Sequence, residues 1–408
     1  MTDILVIKLG GSVLRDEVSL KKAARMVKEI AHKGFRPAVV VSALKGVTDN
    51  IIATMMKTNP NASAQEMDEA MSMGERTTAR LFASALAAEG LEAVVVDPDT
   101  QYWPIVTDDR FMDANPLTEE TKRNVQEKIK PLLEEGKVPV MCGFIGTTDD
   151  GRITTMGRGG SDTSAVILGS ALGAKEVILI KDVDTVFSSD PDMVEEPVPI
   201  GILDSEEAFA LSLGGAKFLH AKALQYKADG VRIRIVSMEH SIFAGTVIDG
   251  GSLDLMVEPS NEPISMITIL GLKLSDSGAL GKIIDAVRAN GANLISLGLD
   301  HRSLILYVSG GKDLENKIHS VAVGGGIAKA VSVFEDLSMV TVKGSAMETS
   351  PGMIQRITQP LARAGINVYA LVTISSSIRI FIRKEHADKA VSLLQEALLI
   401  VTKKGESR

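Results

Sequence analysis

The stretch from residue 143 to residue 190 constrains the fold most, because it joins a glycine-rich loop to a helix start. Its glycines let the backbone take positive φ angles and approach a ligand closely; they are Gly143, Gly146, Gly151, Gly157, Gly159 and Gly160. Ser161 and Asp162 then lead into an apolar run ending at Leu172, the pattern of an N-cap followed by a helix. Backbone N–H groups at a helix N-terminus favour anions, phosphate first. An ordinary surface turn before a helix is the alternative.

Length and composition indicate a multidomain globular protein. At 408 residues the chain is long enough for two or three domains. Apolar residues make up 45% and charged residues 24%, proportions that argue against a disordered or fibrous chain. The net charge of −8 gives no reason to expect nucleic acid or an anionic membrane as a partner.

Three features predict a soluble, cytoplasmic protein without a membrane partner. Cys142 is the one cysteine, so there is no disulfide framework, and its apolar strand indicates burial rather than nucleophilic catalysis. The N-terminus runs from Met1 into the apolar residues 4–7 without the features of a signal peptide. No stretch approaches the ~20 apolar residues that span a bilayer.

Short apolar runs alternate with helical periodicity through residues 1–250. The runs predict strands at 4–7, 38–41, 93–96, 138–142, 176–180 and 232–236, and the periodic stretches predict helices near 20–31, 66–88, 118–135, 162–172 and 217–228. This alternation predicts an α/β domain with a mostly parallel central sheet between helices. Polar or glycine-rich segments at Gly10, Ser42, Gly143 and Asp182 follow strand ends, where ligands of such sheets lie. We expect them to converge on one crevice.

The C-terminal part is internally duplicated. Turn-forming residues between 250 and 263 mark a break in composition. Residues 265–271 predict a strand before a helix near 278–289, and residues 338–344 predict a strand before a helix near 352–364. Each unit continues to a βαββαβ pattern of about 70 residues. We predict a first domain at 1–250, a linker at 251–262, and two α+β modules at 263–335 and 336–408.

Charged side chains near the predicted crevice fit phosphate and a small zwitterion. Lys8 at a strand end suits a fixed positive charge beside phosphate oxygens, with a solvated lysine as the alternative. Arg158, Asp162 and Glu75 combine a carboxylate-binding guanidinium with acids that match an ammonium group, as an amino acid requires. A structural ion pair between loops is the alternative. Asp182 after a strand either orients a nucleotide or magnesium-bound water, or caps the following turn.

Two other kinds of site do not fit the sequence. No Gly-Lys pair is followed by Ser or Thr, which excludes a Walker A loop; the pairs are at 136–137, 281–282 and 311–312. The six histidines are not spaced in pairs as zinc ligands are, so the sequence does not favour a protein-bound zinc site.

In their order and spacing these segments resemble the aspartate kinases, members of the amino-acid kinase superfamily with two C-terminal ACT domains. The resemblance covers nearly the whole chain and includes Lys-Leu-Gly-Gly-Ser at 8–12, Gly-Phe-Ile-Gly at 143–146 and Asp-Val-Asp at 182–184. Further matching segments lie at 41–43, 46–48, 74–75, 154–162, 190–191 and 215–220. It implies an amino-acid-kinase fold followed by two ferredoxin-like ACT domains.

The resemblance also implies an activity, namely phosphorylation of the side-chain carboxylate of L-aspartate by ATP with Mg²⁺. The product, 4-phospho-L-aspartate, leads toward lysine, threonine and methionine. Two residues are implied to be catalytic: Lys8 would stabilise the transferring phosphoryl group, and Asp162 would organise Lys8 and the magnesium-bound phosphates. The residues implied to hold aspartate are Ser42, Thr48, Glu75, Phe144, Arg158 and Ser161. Those implied to hold the nucleotide are Lys8, Gly10, Gly11, Ser12, Lys181, Asp182, Phe187 and Lys217, and no protein ligand is assigned to the metal.

The chain departs from the family pattern after the strand at 176–180. Lys181 stands in place of a threonine, Thr185 of a glycine, Phe187 of a tyrosine and Asp192 of an arginine. Our hypothesis is that Lys181 replaces the cation lost at Asp192, which predicts that Lys181→Thr raises the KM for ATP. A lysine at this point also resembles uridylate kinases, but the paired modules and the aspartate-binding positions favour an amino acid substrate.

The ACT resemblance implies a regulatory amino acid, lysine or threonine, bound where modules pair between subunits of a homo-oligomer. The loop positions concerned are 275–279, Asn293, 347–352 and Asn367. Modules that only dimerise the chain are the alternative. For the whole chain, the alternatives are a kinase of another small carboxylate or carbamate and a catalytically weak amino acid sensor.

Overall fold

Residues 3–271, 278–300 and 302–405 are described by the computed structural model. The chain divides into two units, Met1–Leu253 and Asp254–Arg408. In the described ranges no helix combines the length and the apolar character needed to cross a membrane.

The first unit is built on an eight-stranded sheet. The strands of this unit are β1 Ile4–Leu9, β2 Arg36–Val41, β3 Ala93–Val96, β4 Val138–Cys142, β5 Ile145–Thr147, β6 Ile153–Thr155, β7 Glu176–Lys181, β8 Val186–Phe187, β9 Pro199–Ile200, β10 Ile202–Asp204, β11 Arg232–Ser237 and β12 Thr246–Asp249. The sheet order is β10-β12-β11-β7-β1-β2-β4-β3, and β5 with β6 and β8 with β9 form two small hairpins. All neighbours in the large sheet are parallel except β11 and β12, which confirms the predicted mostly parallel sheet.

Helices connect these strands. They are α1 Glu17–His32, α2 Val47–Thr58, α3 Ala64–Ala88, α4 Thr118–Asn124, α5 Lys130–Glu134, α6 Gly160–Leu172, α7 Ser205–Leu213 and α8 Ala221–Leu224, with a π-helical turn at Val125–Ile129. Capping boxes fix the starts of two long helices, Asp16 with Ser19 before α1 and Ser63 with Glu66 before α3.

Helix α6 packs closely on the sheet and is buried along almost its whole length. Gly169 permits this approach, since a Cβ there would lie 2.2 Å from Val177 Cγ2 and 3.7 Å from Val6 Cγ2. The helix therefore covers the face of β1 and β7 that carries these valines. Its N-terminus lies at the carboxyl ends of the two strands.

The second unit contains a seven-stranded antiparallel sheet. Its elements are β13 Met256–Pro259, β14 Ile264–Leu270, α9 Ala279–Ala289, β15 Ala292–Leu299, β16 Ser303–Gly310, α10 Leu314–His319, a π-helical turn at Ser320–Gly324, β17 Ala330–Lys343, α11 Ala346–Thr349, α12 Met353–Arg363, β18 Val368–Ile374, β19 Ser377–Arg383, a 3₁₀ turn at Lys384–His386 and α13 Ala387–Gly405. The order is β15-β16-β14-β17-β19-β18, and β13 pairs with β17. Two separate apolar cores match the predicted duplication, one around Ile283 and one around Ile357.

Three features differ from the sequence pattern. Residues 256–259, inside the predicted linker, form β13 and pair with β17. Strand β17 runs without a break past residue 335, where the two modules were divided. The predicted helix at 217–228 is limited to α8, because Phe218 and Leu219 are buried side by side and Lys227 Nζ reaches the carbonyl oxygen of Gly250. The three predicted boundaries between the domains and the linker stay predictions.

Candidate active site

A cleft of about 530 Å³ opens at the carboxyl ends of β1, β2 and β7. These strands are neighbours in the sheet, so the loops that follow them meet there. The predicted site residues that line the cleft are Lys8, Gly11, Ser12, Ser42, Thr48, Glu75, Phe144, Arg158, Ser161, Asp162 and Lys181. The fold thus brings together residues that are distant in the chain, as expected for segments that follow the ends of parallel strands.

Three charged side chains, two buried and one partly buried, form the floor of the cleft. Asp162, in the first turn of α6, lies with Oδ1 2.8 Å from Lys8 Nζ and accepts a hydrogen bond on Oδ2 from Lys181 Nζ at 2.6 Å. Burial alone would raise the pKa of Asp162, but the two ammonium groups outweigh it and hold that pKa at about 2. Burial lowers the pKa of Lys8, and the neighbouring Lys181 adds to that effect while Asp162 opposes it. Asp162 is therefore ionised at neutral pH and shared by two lysines.

The loop before α6 is shaped by glycines in left-handed conformation. Gly157 and Gly159 have φ of 71° and 72°. A Cβ on Gly159 would lie 2.3 Å from the Cβ of His220, so the loop passes against that residue with no room for a side chain. Gly159 is the N-cap of α6 and no side chain caps the helix. The helix start is therefore suited to an anion, and Arg158 is exposed beside it.

The loop is held from behind by Lys222. Its Nζ donates to Asp113 Oδ1 at 2.7 Å, to the carbonyl of Ala114 at 3.0 Å and to the carbonyl of Met156 at 3.1 Å. Only 11% of the Lys222 side chain is exposed. Since Met156 directly precedes the glycine loop, this ammonium group fixes the point from which the loop departs. No sequence motif gave Lys222 a role, because its partners lie far from it in the chain.

Glu75 brings a buried carboxylate from α3 to the opposite wall. Its Oε1 accepts a hydrogen bond from the N–H of Ala43 at 3.0 Å, whereas Oε2 is buried without a hydrogen-bond partner in the part of the chain that is described. Burial raises the pKa of Glu75 to about 7. Gly74 lets the helix come this close, since a Cβ there would lie 2.8 Å from the Cβ of Ala43. The free oxygen is a ready acceptor for a ligand's ammonium group.

Two tight turns complete the walls. Phe144 has a φ of 70°, and its N–H donates to Ser164 Oγ at 2.9 Å. A Cβ on Gly11 would lie 2.8 Å from the carbonyl oxygen of Ala43, so the loops after β1 and β2 touch through their backbones. Lys45, in the loop after β2, and Asp49, in the first turn of α2, also line the cleft, although only their nearness to Ser42 and Thr48 in the chain could have indicated it.

Four residues predicted to bind the nucleotide are not part of this lining. Gly10 lies beneath it, where a Cβ would be 3.1 Å from Lys8 Nζ. Asp182 and Lys217 are exposed outside it, and Phe187 is half-buried in β8. Cys142 is fully buried in β4, and burial raises the pKa of its thiol, in agreement with a structural role. Within the described ranges, no three His, Cys, Asp or Glu residues gather as a metal site would require.

A second cavity, of about 610 Å³, lies in the second unit. It is lined by Met347, Ser350, Pro351, Gly352, Met353, Ile354, Thr373, Ser375 and Ile378. The predicted regulatory stretch 347–352 contributes to this lining, whereas Asn293 and Asn367 do not. Residues 275–277 of the other predicted stretch lie outside the described residues.

A model of the amino acid kinase family matches residues 3–237, and an ACT domain model matches residues 332–396. The chain belongs to the amino acid kinase family.

Within that family its relatives are aspartokinases, and the chain is a member of this group. It is 30% identical to the aspartokinase of Bacillus sp. (strain MGA3) over 97% of both chains. It is 28% identical to that of Thermus thermophilus over 97% of this chain and 98% of the other.

Solved aspartokinase structures share the fold. Aspartate kinase from Synechocystis aligns with a TM-score of 0.75 at 24% identity, covering 97% of this chain and 69% of the other. E. coli aspartokinase III in complex with aspartate and ADP aligns with a TM-score of 0.56 at 22% identity, covering 97% and 100%.

Proposed function

We propose that the chain is an aspartate kinase that transfers the γ-phosphoryl group of ATP to the side-chain carboxylate of L-aspartate. The observation that carries this proposal is a single cleft in which the cluster of Lys8, Asp162 and Lys181 faces Arg158 and Glu75. Such a cleft offers positive charge for a phosphoryl group together with complementary groups for a zwitterion.

The aspartate-binding residues are Ser42, Thr48, Glu75, Phe144, Arg158 and Ser161. Arg158 grips a carboxylate through its forked guanidinium, and the unpartnered Oε2 of Glu75 accepts from the ammonium group. Because Glu75 is buried, its ionised form has a high free energy until an ammonium group binds beside it. Arg158 and Glu75 together therefore select an amino acid over a simple dicarboxylate, which has no ammonium group.

The nucleotide's phosphates enter between the loop after β1 and the N-terminus of α6. Gly10, Gly11 and Ser12 offer backbone N–H groups, and Lys8 offers its ammonium group. Asp182, Phe187 and Lys217 would hold the remainder of the nucleotide outside the cleft lining.

Mg²⁺ accompanies the nucleotide in this proposal. Both carboxylate oxygens of Asp162 are already paired with lysines, so this residue suits charge balance better than metal ligation. The exposed Asp182, directly after Lys181, offers the oxygen ligands that Mg²⁺ prefers. When bound, the ion neutralises charge on the phosphates.

The reaction needs no general base. A side-chain carboxylate with a pKa of about 4 is already ionised at neutral pH. An oxygen of that carboxylate forms a bond to Pγ while the bond from Pγ to the β–γ bridging oxygen breaks, and ADP leaves with the electron pair. The protein contributes alignment and charge neutralisation, which Arg158, Glu75 and Lys8 supply.

We further infer that the second unit binds lysine or threonine as a feedback inhibitor and that the chain works as a homo-oligomer. The cavity lined by Met347 and residues 350–354 supports the first inference, because it is large enough to hold an amino acid. An effector inhibits only if it binds one conformational state more tightly than the other.

Trapping with hydroxylamine tests the catalytic proposal. With ATP and Mg²⁺, the protein is offered L-aspartate, L-glutamate, N-acetyl-L-glutamate and succinate, and acyl hydroxamate is measured. We expect hydroxamate with L-aspartate and less than a tenth as much with the others. Hydroxamate from another acid alone identifies a different kinase, and none from any acid indicates an amino acid sensor.

A further inference from the structure

Lys181 is the last residue of β7, and its side chain points toward the floor of the cleft. Strands β1 and β7 are parallel neighbours in which Lys8 pairs with Leu179. Side chains alternate along a strand, so Leu179 and Lys181 share a face of the sheet with Lys8. This is the face covered by α6, whose first turn carries Asp162. The register of the sheet therefore places both lysines under one carboxylate.

The charge of this cluster depends on Lys181. Lys8 and Asp162 alone have no formal net charge, whereas the second lysine gives the three groups a formal net charge of +1. A neutral buried pair has little attraction for a phosphoryl group. The excess positive charge on the floor of the cleft is thus contributed by Lys181.

Lys181 is also the member of the cluster that reaches furthest toward solvent. Its side chain is 16% exposed, against 7% for Lys8 and 5% for Asp162. A phosphoryl group entering the cleft can meet its ammonium group without separating it from Asp162. By contrast, Asp192 is exposed in the loop after β8 and its N–H donates to Asp190. Nothing in this arrangement directs Lys181 toward the position of the missing arginine.

We propose that Lys181 is a second phosphoryl-facing lysine, held in place by Asp162, and that it neutralises charge on the transferring group instead of clamping the nucleotide. This inference rests on the proposed aspartate kinase activity. As the aspartate oxygen bonds to Pγ and ADP departs, Lys181 remains an ammonium group and transfers no proton. Its effect is therefore on the rate of transfer and not on the affinity for ATP.

Three substitutions separate these roles. Lys181→Thr introduces the residue typical of the family, Lys181→Met removes the charge at similar length, and Lys181→Arg keeps the charge. Lys175→Met is the matched control, since Lys175 is a surface lysine paired with Asp3 at 2.6 Å. For each protein, kcat and KM are measured, ADP affinity is measured by calorimetry, and folding is checked by thermal unfolding.

We expect Lys181→Met and Lys181→Thr to lower kcat roughly 100-fold. Their affinity for ADP should stay within about threefold of wild type, and Lys181→Arg should recover at least a tenth of the wild-type kcat if charge is what matters. Lys175→Met should behave as wild type.

Other results overturn the inference. A KM for ATP raised tenfold with kcat unchanged would support the nucleotide clamp, and unchanged kinetics would leave Lys181 without a role. Wild type that forms no hydroxamate from aspartate overturns the proposed function itself. An active wild type with equally active Lys181 variants overturns only the role of Lys181.

Discussion

Asp162 on α6 and Lys8 on β1 form an ion pair of 2.8 Å in which both side chains are more than nine-tenths buried. A buried pair of this kind needs both partners, because removing one leaves an uncompensated charge away from water. Here the loss of stability should be larger, since Asp162 also forms an ion pair with Lys181 and its removal would leave two lysines without their partner. The cluster therefore links the stability of the first unit to its chemistry.

Asp162→Asn should destabilise the protein by about 3–5 kcal/mol and abolish phosphoryl transfer. The matched control is Asp3→Asn, which breaks a surface pair with Lys175 and should cost at most about 1 kcal/mol. Urea unfolding at pH 7 measures both. Because the pKa of Asp162 is lowered to about 2 in the folded state, its contribution is present above its ordinary value of 3.8 and is lost as pH falls toward 2. Equal losses of stability in Asp162→Asn and Asp3→Asn would contradict a stabilising role of the buried ion pairs of Asp162.

The pKa of Glu75, raised by burial to about 7, predicts the pH dependence of aspartate binding. In the proposed site only ionised Glu75 would pair with the substrate ammonium, so kcat/KM for aspartate should fall about tenfold for each pH unit well below 7. Glu75→Gln should raise the KM for aspartate and remove this slope. Glu69→Gln, on the exposed side of the same helix, is the control and should keep the wild-type profile. A profile in Glu75→Gln that follows wild type would assign the slope to another group.

The same raised pKa predicts that ionised Glu75 lowers the folding stability of the ligand-free protein. Its protonated form is favoured in the folded state, so the stabilising effect holds below the ordinary pKa of 4.5 and is lost as pH rises through 7. Glu75→Gln should therefore stabilise the protein at pH 8 without substrate, by on the order of 3 kcal/mol. Thermal unfolding at pH 8 and pH 4 measures the difference, which should shrink at the lower pH. If Glu75→Gln is less stable than wild type at pH 8, the ionised carboxylate of Glu75 is stabilised by its surroundings and the prediction is wrong.

Gly159 and Gly151 offer a matched pair of glycine substitutions. Both have positive φ, but an added Cβ would meet His220 at 2.3 Å at Gly159 and nothing within 4 Å at Gly151. Each alanine variant should lose about 1–2 kcal/mol of stability from the backbone conformation. Only Gly159→Ala should also displace the loop that carries Arg158 and raise the KM for aspartate at least tenfold. Similar kinetics in the two variants would indicate that the loop does not position the substrate.

Lys222 should act as a positioning residue for the same loop. Lys222→Met removes three hydrogen bonds, one of them to the carbonyl of Met156, and should raise the KM for aspartate about tenfold with the KM for ATP nearly unchanged. Lys222→Arg keeps the positive charge and should bring the KM for aspartate most of the way back to the wild-type value. Lys137→Met, at a surface lysine paired with Glu135, is the control. Equal changes in both KM values would point to general loosening of the unit instead.

The cavity of the second unit predicts inhibition by lysine or threonine. Titration of each amino acid against kinase activity should give a saturable decrease for one of them. Ser350→Phe, which places a ring in the cavity, should abolish the inhibition and keep activity, whereas Ser392→Phe on the exposed side of α13 should leave inhibition intact. Flat titrations of wild type with both amino acids would argue that the modules only join subunits.

Much of this site follows from local patterns. The apolar runs predicted the strands, and the rule that ligands lie at strand ends predicted that Lys8 and Arg158 face one cleft. The glycine cluster predicted the tight loop before α6, but the N-cap expected at Ser161 and Asp162 was wrong. Gly159 is the N-cap, no side chain caps the helix, and Ser161 and Asp162 lie in its first turn.

The features that the sequence did not predict depend on contacts between residues that are distant in the chain. The direction of Lys181 depends on where β7 ends, since a shift by one residue moves a side chain to the other face. Lys222 reaches backbone carbonyls of two other loops, and β13 joins a sheet whose other strands follow it in the chain. Patterns within one segment carry no information about such partners.

In the proposed reaction one cleft brings aspartate and ATP together for direct transfer of the phosphoryl group. The most direct measurement follows a label on the γ-phosphate of ATP in the presence of Mg²⁺ and L-aspartate, for wild type and for folded Lys8→Met. We expect the label in 4-phospho-L-aspartate with wild type, and we expect this product to form at least 100-fold more slowly with Lys8→Met. Label released only as inorganic phosphate, at a rate independent of aspartate, would contradict it.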